Sequence, residues 1–338
     1  VNRQWARELV SYSSKVYHLK QMVKQAKDGR DDPDIGPSMI FVVMLFFFLF
    51  RLGSMEELDR NLKKGRFRQL MPANARKPAS HDVVRQALMK WNLESHQANH
   101  RLFIDKFKQN KGPWRGAIDG WRVAAIDGVE LYASKSRCCE ECLIRELANG
   151  EIEYFHRAAF AQKVGGDPRI LYEMELLKKK DGSDKAEGET IAAERLIHHV
   201  AQRYGVLVDV WTLDALYARA PILHAALDHG QQAVVRMKEE RRVIMQDAKG
   251  LFDARRPDIA WLEKDKWGNP VTVQAWDEGE LTSWESLRVP FRIVKMVRTT
   301  ERTVIVGGKK QTQTEIMERW VGTTMEKPVA GTDTVSRI

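Results

Sequence analysis

Two aspartates have the residue type and the setting for metal-assisted chemistry. Asp127 follows the short apolar run at residues 122–126 (RVAAI), and Asp214 follows a second run at residues 206–213. Phosphoryl transfer with two divalent cations needs acidic oxygens that converge on one point. One cation activates the attacking water or hydroxyl, and the other stabilises the leaving oxygen. Mg2+ takes only one or two carboxylates and completes its shell with water and phosphate. The ends of adjacent central strands hold such groups rigidly. Each aspartate also has a plain structural reading. Asp127-Gly128 between two β-rich runs is a hairpin signal, and Asp214 suits a helix cap before residues 215–218. Asp209 precedes Asp214 by an odd offset, which turns it toward the other face of the strand.

A second group carries sulfur. The chain has three cysteines, Cys138, Cys139 and Cys142, with His156 further along. Cys139-x-x-Cys142 with His156, alone or joined by Cys138, has the ligand types of a Cys2His or Cys3His zinc site. Adjacent Cys138 and Cys139 reach one metal only under strain, and a single CxxC favours free thiols in a loop. His156, alternating with Tyr154, also suits a strand position facing DNA or solvent. Three cysteines so close together form no disulfide framework, which points to a reducing compartment.

The elements that must position these residues divide the chain. Residues 1–118 are expected to be helical. Trp5, Leu9, Val16, Leu19 and Val23 recur on one helix face. Asp31-Asp32-Pro33 and Gly36-Pro37 break that helix, and Ser38 is placed to cap the next. Residues 39–50 (MIFVVMLFFFLF) fall short of the roughly 20 that span a bilayer. They predict a buried core helix, with neither a membrane segment nor a signal peptide. Ser54-Met-Glu-Glu57 has the form of a capping box, and residues 80–83 (SHDV) open another helix. Basic residues punctuate this region: Lys63, Lys64, Arg66, Arg68, Arg76, Lys77, Lys106, Lys108, Lys111 and Arg115.

From residue 119 to 240 the pattern is α/β with a mixed sheet. Strands are expected at residues 122–126, 130–134, 153–164 and 169–177. After a polar loop at Asp181-Gly182 come a helix (187–204), a strand (206–213), a helix (220–230) and a strand (232–237). Residues 241–324, with Trp261, Trp267, Trp276, Trp284 and Trp320, read as a mostly β insertion. Those tryptophans suit a core, or stacking on unpaired bases. A final helix starts near Thr332, within residues 325–338.

The 338 residues comprise 43% hydrophobic and 30% charged residues, a folded rather than a disordered chain. Lys and Arg number 55 against 46 acidic residues, a net charge of +9. Such an excess favours a polyanionic partner through counterion release, although it also serves solubility.

Residues 125–131 (AIDGVEL) and 212–221 (TLDALYARAP) resemble the first and second catalytic-aspartate motifs of DDE-type insertion-sequence transposases. Residues 185–189 (KAEGE) and 192–195 (AAER) fit the crossover helix of that family. The likeness spans about residues 120–240. It implies an α/β, RNase H-like core with a mixed sheet, an N-terminal helical region that holds transposon ends, and a β-rich insertion. It also implies metal-dependent strand cleavage and transfer during transposition. Asp127 and Asp214 would be catalytic ligands of Mg2+ or Mn2+. Double-stranded DNA, both terminal repeats and target, would be the partner, possession of two ends would suit a homodimer, and the setting would be the bacterial cytoplasm or nucleoid. Tyr217, Arg219 and Lys238, just past the motifs, are expected to touch the DNA backbone. The family's third acid, a glutamate, lies on a helix after the insertion. Glu187, Glu189, Glu278, Glu280, Glu315 and Glu318 fit that place poorly, so it is expected beyond Ile338, in a C-terminally truncated chain. The rival expectation is a transposase remnant that binds DNA without catalysis.

Overall fold

The computed structural model describes residues 3–64, 79–180, 187–238, 241–306 and 309–338. The chain forms two compact units, Val1–Gly112 and Pro113–Ile338.

In the first unit, helices α1 (Arg3–Val16) and α2 (Leu19–Gln25) replace the single expected helix, with a break at left-handed His18. Next come α3 (Pro37–Leu49), α4 (Met55–Lys63), α5 (His81–Met89) and α6 (Leu93–Gln109). The apolar run is a core helix as expected: Ile40, Val43 and Phe46 are buried with Leu58, Leu62 and Val84. Each such side chain stabilises by about 1.5–3 kcal/mol. Among the described residues no helix is long and apolar enough to cross a membrane. Ser38 does not cap α3. Gly36 is the N-cap with Pro37 behind it, and the Ser38 hydroxyl donates to the Val23 carbonyl at 2.8 Å. Ser54 does cap α4, accepting from the Glu57 amide at 3.1 Å, and Ser80 caps α5. Arg66, Arg68, Arg76, Lys77 and the Asp181-Gly182 loop lie outside the described residues.

The second unit is built on one ten-stranded sheet. Strands β1 (Val123–Ser134), β2 (Leu143–Glu146), β3 (Ile152–Lys163) and β4 (Leu171–Leu176) precede α7 (Glu189–Tyr204). Strand β5 (Val210–Leu213), helix α8 (Ala220–Leu227) and strand β6 (Gln232–Met237) follow. β1 pairs antiparallel with β3 and β3 with β4, whereas β5 pairs parallel with β1 and β6 with β5. The resulting order, β4-β3-β1-β5-β6 with α7 as the crossover, is that of an RNase H-like core. Ion pairs of Arg195 with Glu175 and Glu187, and of Arg203 with Glu173, tie α7 to β4 and its following loop.

Two expectations change. β1 runs unbroken through Asp127-Gly128, so no hairpin turn lies there; ten of the twelve residues of β1 pair along β3, and that ladder outweighs the local turn signal. Residues 241–324 open with a helix, α9 (Val243–Asp253), before β7 (Ile259–Lys264), β8 (Pro270–Leu281), β9 (Phe291–Val306) and β10 (Lys309–Thr323). These strands extend the core sheet, because the end of β10 pairs with β6 (Trp320↔Met237 through Thr323↔Val234). The short helix α10 (Thr332–Arg337) then covers one face, where Val335 packs with Val123, Val210, Val234 and Val321.

Candidate active site

Register brings the two aspartates together. In the parallel β1/β5 ladder the last pair is Ile126↔Leu213, so Asp127 and Asp214 are the next residues on neighbouring strands, which lie about 4.8 Å apart. Both side chains are exposed. Each uses Oδ1 locally: Asp127 accepts from the Gly128 amide at 2.9 Å, and Asp214 from the Leu216 amide at 2.7 Å. Asp214 is therefore also the cap of a 3₁₀ turn, Ala215–Tyr217, as its plain reading expected. In both residues Oδ2 has no protein partner among the described residues, which suits a hard cation that takes oxygen ligands and keeps water.

The pair opens onto a cleft of about 520 Å³ lined also by Arg236, Arg319, Val335 and Ile338. α10 thus lies over the aspartates, held to β5 by the Thr212 hydroxyl donating to the Ile338 carbonyl at 3.1 Å. On the other side of Asp127 a groove of about 640 Å³ runs past Val129, Phe160, Gln162 and Arg169. Asp127 therefore stands between two open troughs on one face of the sheet. Asp209 takes no part. Arg122 binds both its carboxylate oxygens, with Nε to Oδ2 at 2.8 Å.

No protein family matches the sequence, and no curated protein does. Among solved structures, the chain is similar to a piggyBac transposase synaptic complex with hairpin DNA, at 11% identity and a TM-score of 0.39. That alignment covers 95% of this chain and 63% of the other, so the chain spans less than two thirds of the transposase. It is also similar to the NurA nuclease from Sulfolobus solfataricus, at 11% identity and a TM-score of 0.27, covering 64% and 72% of the two chains.

Three expected contacts fare differently. Tyr217 is fully buried, so it does not reach a DNA backbone; its hydroxyl donates to Glu189 Oε1. The ring is enclosed by the core and the hydroxyl meets Glu189, a partner that α7 supplies from 28 residues earlier in the chain. Burial pushes the Tyr217 hydroxyl far above its usual range, and the Glu189 hydrogen bond with the charges of Glu189, Asp127 and Asp214 pushes it further. Tyr217 thus keeps its proton and is a fixed hydrogen-bond donor to Glu189. Arg219 is exposed at the N-cap of α8 and Lys238 is exposed just past β6.

Glu189 and two arginines were not assigned from sequence. Glu189 opens α7, and its carboxylate meets Arg157 at 2.6 Å as well as Tyr217. It approaches β1 at Gly128, on the opposite side from Asp127 because consecutive strand residues alternate. Glu189 therefore positions Tyr217 and does not join the two aspartates. Arg236 and Arg319 reach the cleft from β6 and β10, exposed and without a carboxylate partner among the described residues. Only the β10/β6 pairing, between residues far apart in sequence, brings them together.

The sulfur group also assembles. Cys139, Cys142 and His156 place their ligand atoms within 4.8 Å of one another. Of the five tryptophans between residues 241 and 324, Trp320 is buried and Trp267 is largely exposed, with Lys266 and Arg302 over its ring.

Proposed function

We propose that this chain is the DNA-binding and catalytic part of a DDE-type transposase, cleaving DNA strands and transferring them during movement of an insertion sequence. The observation that carries this reading is the side-by-side placement of Asp127 and Asp214 just past the last β1/β5 pair, with free Oδ2 atoms, over an open cleft that two unpaired arginines also line. Bound Mg2+ or Mn2+ would activate the attacking oxygen and stabilise the leaving one. Asp127 and Asp214 would hold such cations, with the Oδ2 atoms left free by their local hydrogen bonds. Arg236 and Arg319 bind phosphate oxygens of the DNA backbone, and Arg219 and Lys238 extend that contact. Tyr217, tied to Glu189, buttresses the turn that carries Asp214. Terminal repeats and target DNA are the substrates in this reading, with pairing of two chains on two ends.

A second reading, DNA binding without catalysis, has its own support. Among the described residues no third carboxylate joins Asp127 and Asp214 as a metal-binding group. Nicking of supercoiled plasmid with Mg2+ or Mn2+ separates the two. Cutting that disappears in Asp127→Ala and Asp214→Ala supports catalysis. Plasmid binding by the folded chain with no cutting under either metal favours the second reading.

A further inference from the structure

The loop between β1 and β2 folds back onto β3 at the edge of the sheet, and all three cysteines lie in it. Leu143 pairs with Phe155, so Cys142 stands opposite His156 one step further along the same antiparallel register. Cys139 Sγ lies 3.6 Å from Cys142 Sγ and 3.2 Å from His156 Nε2, and Cys142 Sγ lies 3.4 Å from the same nitrogen. Zn2+ binds thiolate at about 2.3 Å and imidazole at about 2.0–2.1 Å, so tetrahedral ligands stand roughly 3.5–3.8 Å from one another. The three atoms already form one face of such a tetrahedron.

Thiols are weak hydrogen-bonding groups, and mutual contact of two thiols and an imidazole explains little of so tight a cluster. The loop is meanwhile fixed by other means. The Cys142 amide donates to the Cys139 carbonyl at 3.1 Å, and the Cys139 amide to Cys142 Sγ at 3.2 Å. The Tyr132 hydroxyl donates to the Arg137 carbonyl at 2.9 Å, and Lys179 Nζ to the Glu140 carbonyl at 2.8 Å. Cys142 is buried, Cys139 is exposed, and exposed Cys138 adjoins it.

We propose that Cys139 Sγ, Cys142 Sγ and His156 Nε2 bind one structural Zn2+, with the fourth position filled by Cys138 or water. The metal staples the loop to β3 and closes the outer edge of the sheet. It is separate from the aspartate site, since His156 lies four residues along β3 from Phe160, the partner of Asp127, roughly 13 Å at the strand rise.

The test uses the full chain, purified under reducing conditions without a metal-binding tag. One zinc per chain is expected by elemental analysis, falling at least roughly tenfold in Cys142→Ser and His156→Ala. Because either variant could unfold, the chelator-stripped parent is also titrated with Co2+, which should give thiolate-to-cobalt charge-transfer and tetrahedral d–d bands. His156→Cys should keep its metal. A parent chain without zinc whose stripped form takes up no thiolate-bound cobalt overturns the proposal. So does zinc that persists in a folded Cys142→Ser chain, or a Cys139–Cys142 disulfide in the metal-free protein freshly purified under those reducing conditions.

Discussion

The Glu189 carboxylate occupies the space above Gly128 that a side chain there would need: a Cβ on Gly128 would stand 2.1 Å from Glu189 Cδ and Oε2. Glu189 cannot easily move aside, because Arg157 and Tyr217 hold it from two directions. Gly128→Ala should therefore destabilise the second unit by about 1–3 kcal/mol, measured by urea unfolding. Adding Glu189→Ala should return part of that loss, as residues in contact couple. Unchanged stability in the single variant would show that the close approach does not constrain the fold.

Tyr217→Phe separates a positioning role from a DNA contact. Removal of the hydroxyl takes one hydrogen bond from buried Glu189, a loss of about 1–3 kcal/mol in stability. DNA affinity and its dependence on salt should stay as in the parent. A weaker complex with a shallower salt slope in a folded variant would restore Tyr217 as a phosphate contact.

Asp127→Asn and Asp214→Asn keep size and local hydrogen bonding but remove the charge. Asn caps a turn about as well as Asp, so thermal stability should change little. Plasmid nicking should fall more than about 100-fold, since even outer partners of a metal ligand are worth roughly 10–100-fold. DNA binding should persist in both.

Arg236→Gln and Arg319→Gln test the cleft cations. Each should weaken binding to any duplex sequence to a similar degree and lower the slope of log affinity against log salt by about 0.9 per charge removed. Equal slopes in parent and variants would remove the cleft from the DNA path.

Acid stability should depend on Asp277, which is buried between β8 and the C-terminal segment. Burial alone would raise its pKa. The Arg292 hydrogen bonds at 2.9 and 2.6 Å, the Thr332 hydroxyl and the charges of Arg292 and Lys327 outweigh burial and hold it below the usual value of 3.8. A lowered folded pKa means stability that is fully present above the unfolded value and lost as pH falls through the folded one. Parent stability should thus drop below about pH 4 by this route. Asp277→Asn should lose about 3–5 kcal/mol at neutral pH by leaving Arg292 buried and unpaired, and its acid-limb slope in urea unfolding should be shallower. Parallel acid limbs in parent and variant would place the titration elsewhere.

Much of this molecule is legible locally. The apolar run of α3, the Ser54 and Ser80 caps and the core strands and helices follow from periodicity and from side chains that bond amides three residues away. Asp127 and Asp214 stand out locally because each follows a short apolar run, and their side-by-side placement follows from the β1/β5 ladder. The Tyr217 assignment failed because its fate depends on Glu189 and Arg157, and the direction in which a 3₁₀ turn faces is not a local property. The hairpin at Asp127-Gly128 failed for a related reason, since β3 pairs straight past it.

The sequence by itself determined most of the strands and helices of the core, and which side chains have types suited to chemistry, because propensity, capping and alternation act over a few residues. Only the tertiary structure decided what meets what. Parallel pairing of β1 with β5 sets the two aspartates side by side, antiparallel pairing of β10 with β6 delivers Arg319 to Arg236, and the return of the β1–β2 loop sets two thiols on His156. Those contacts depend on long-range register, which is fixed by burial of whole faces of the sheet rather than by any neighbouring residue.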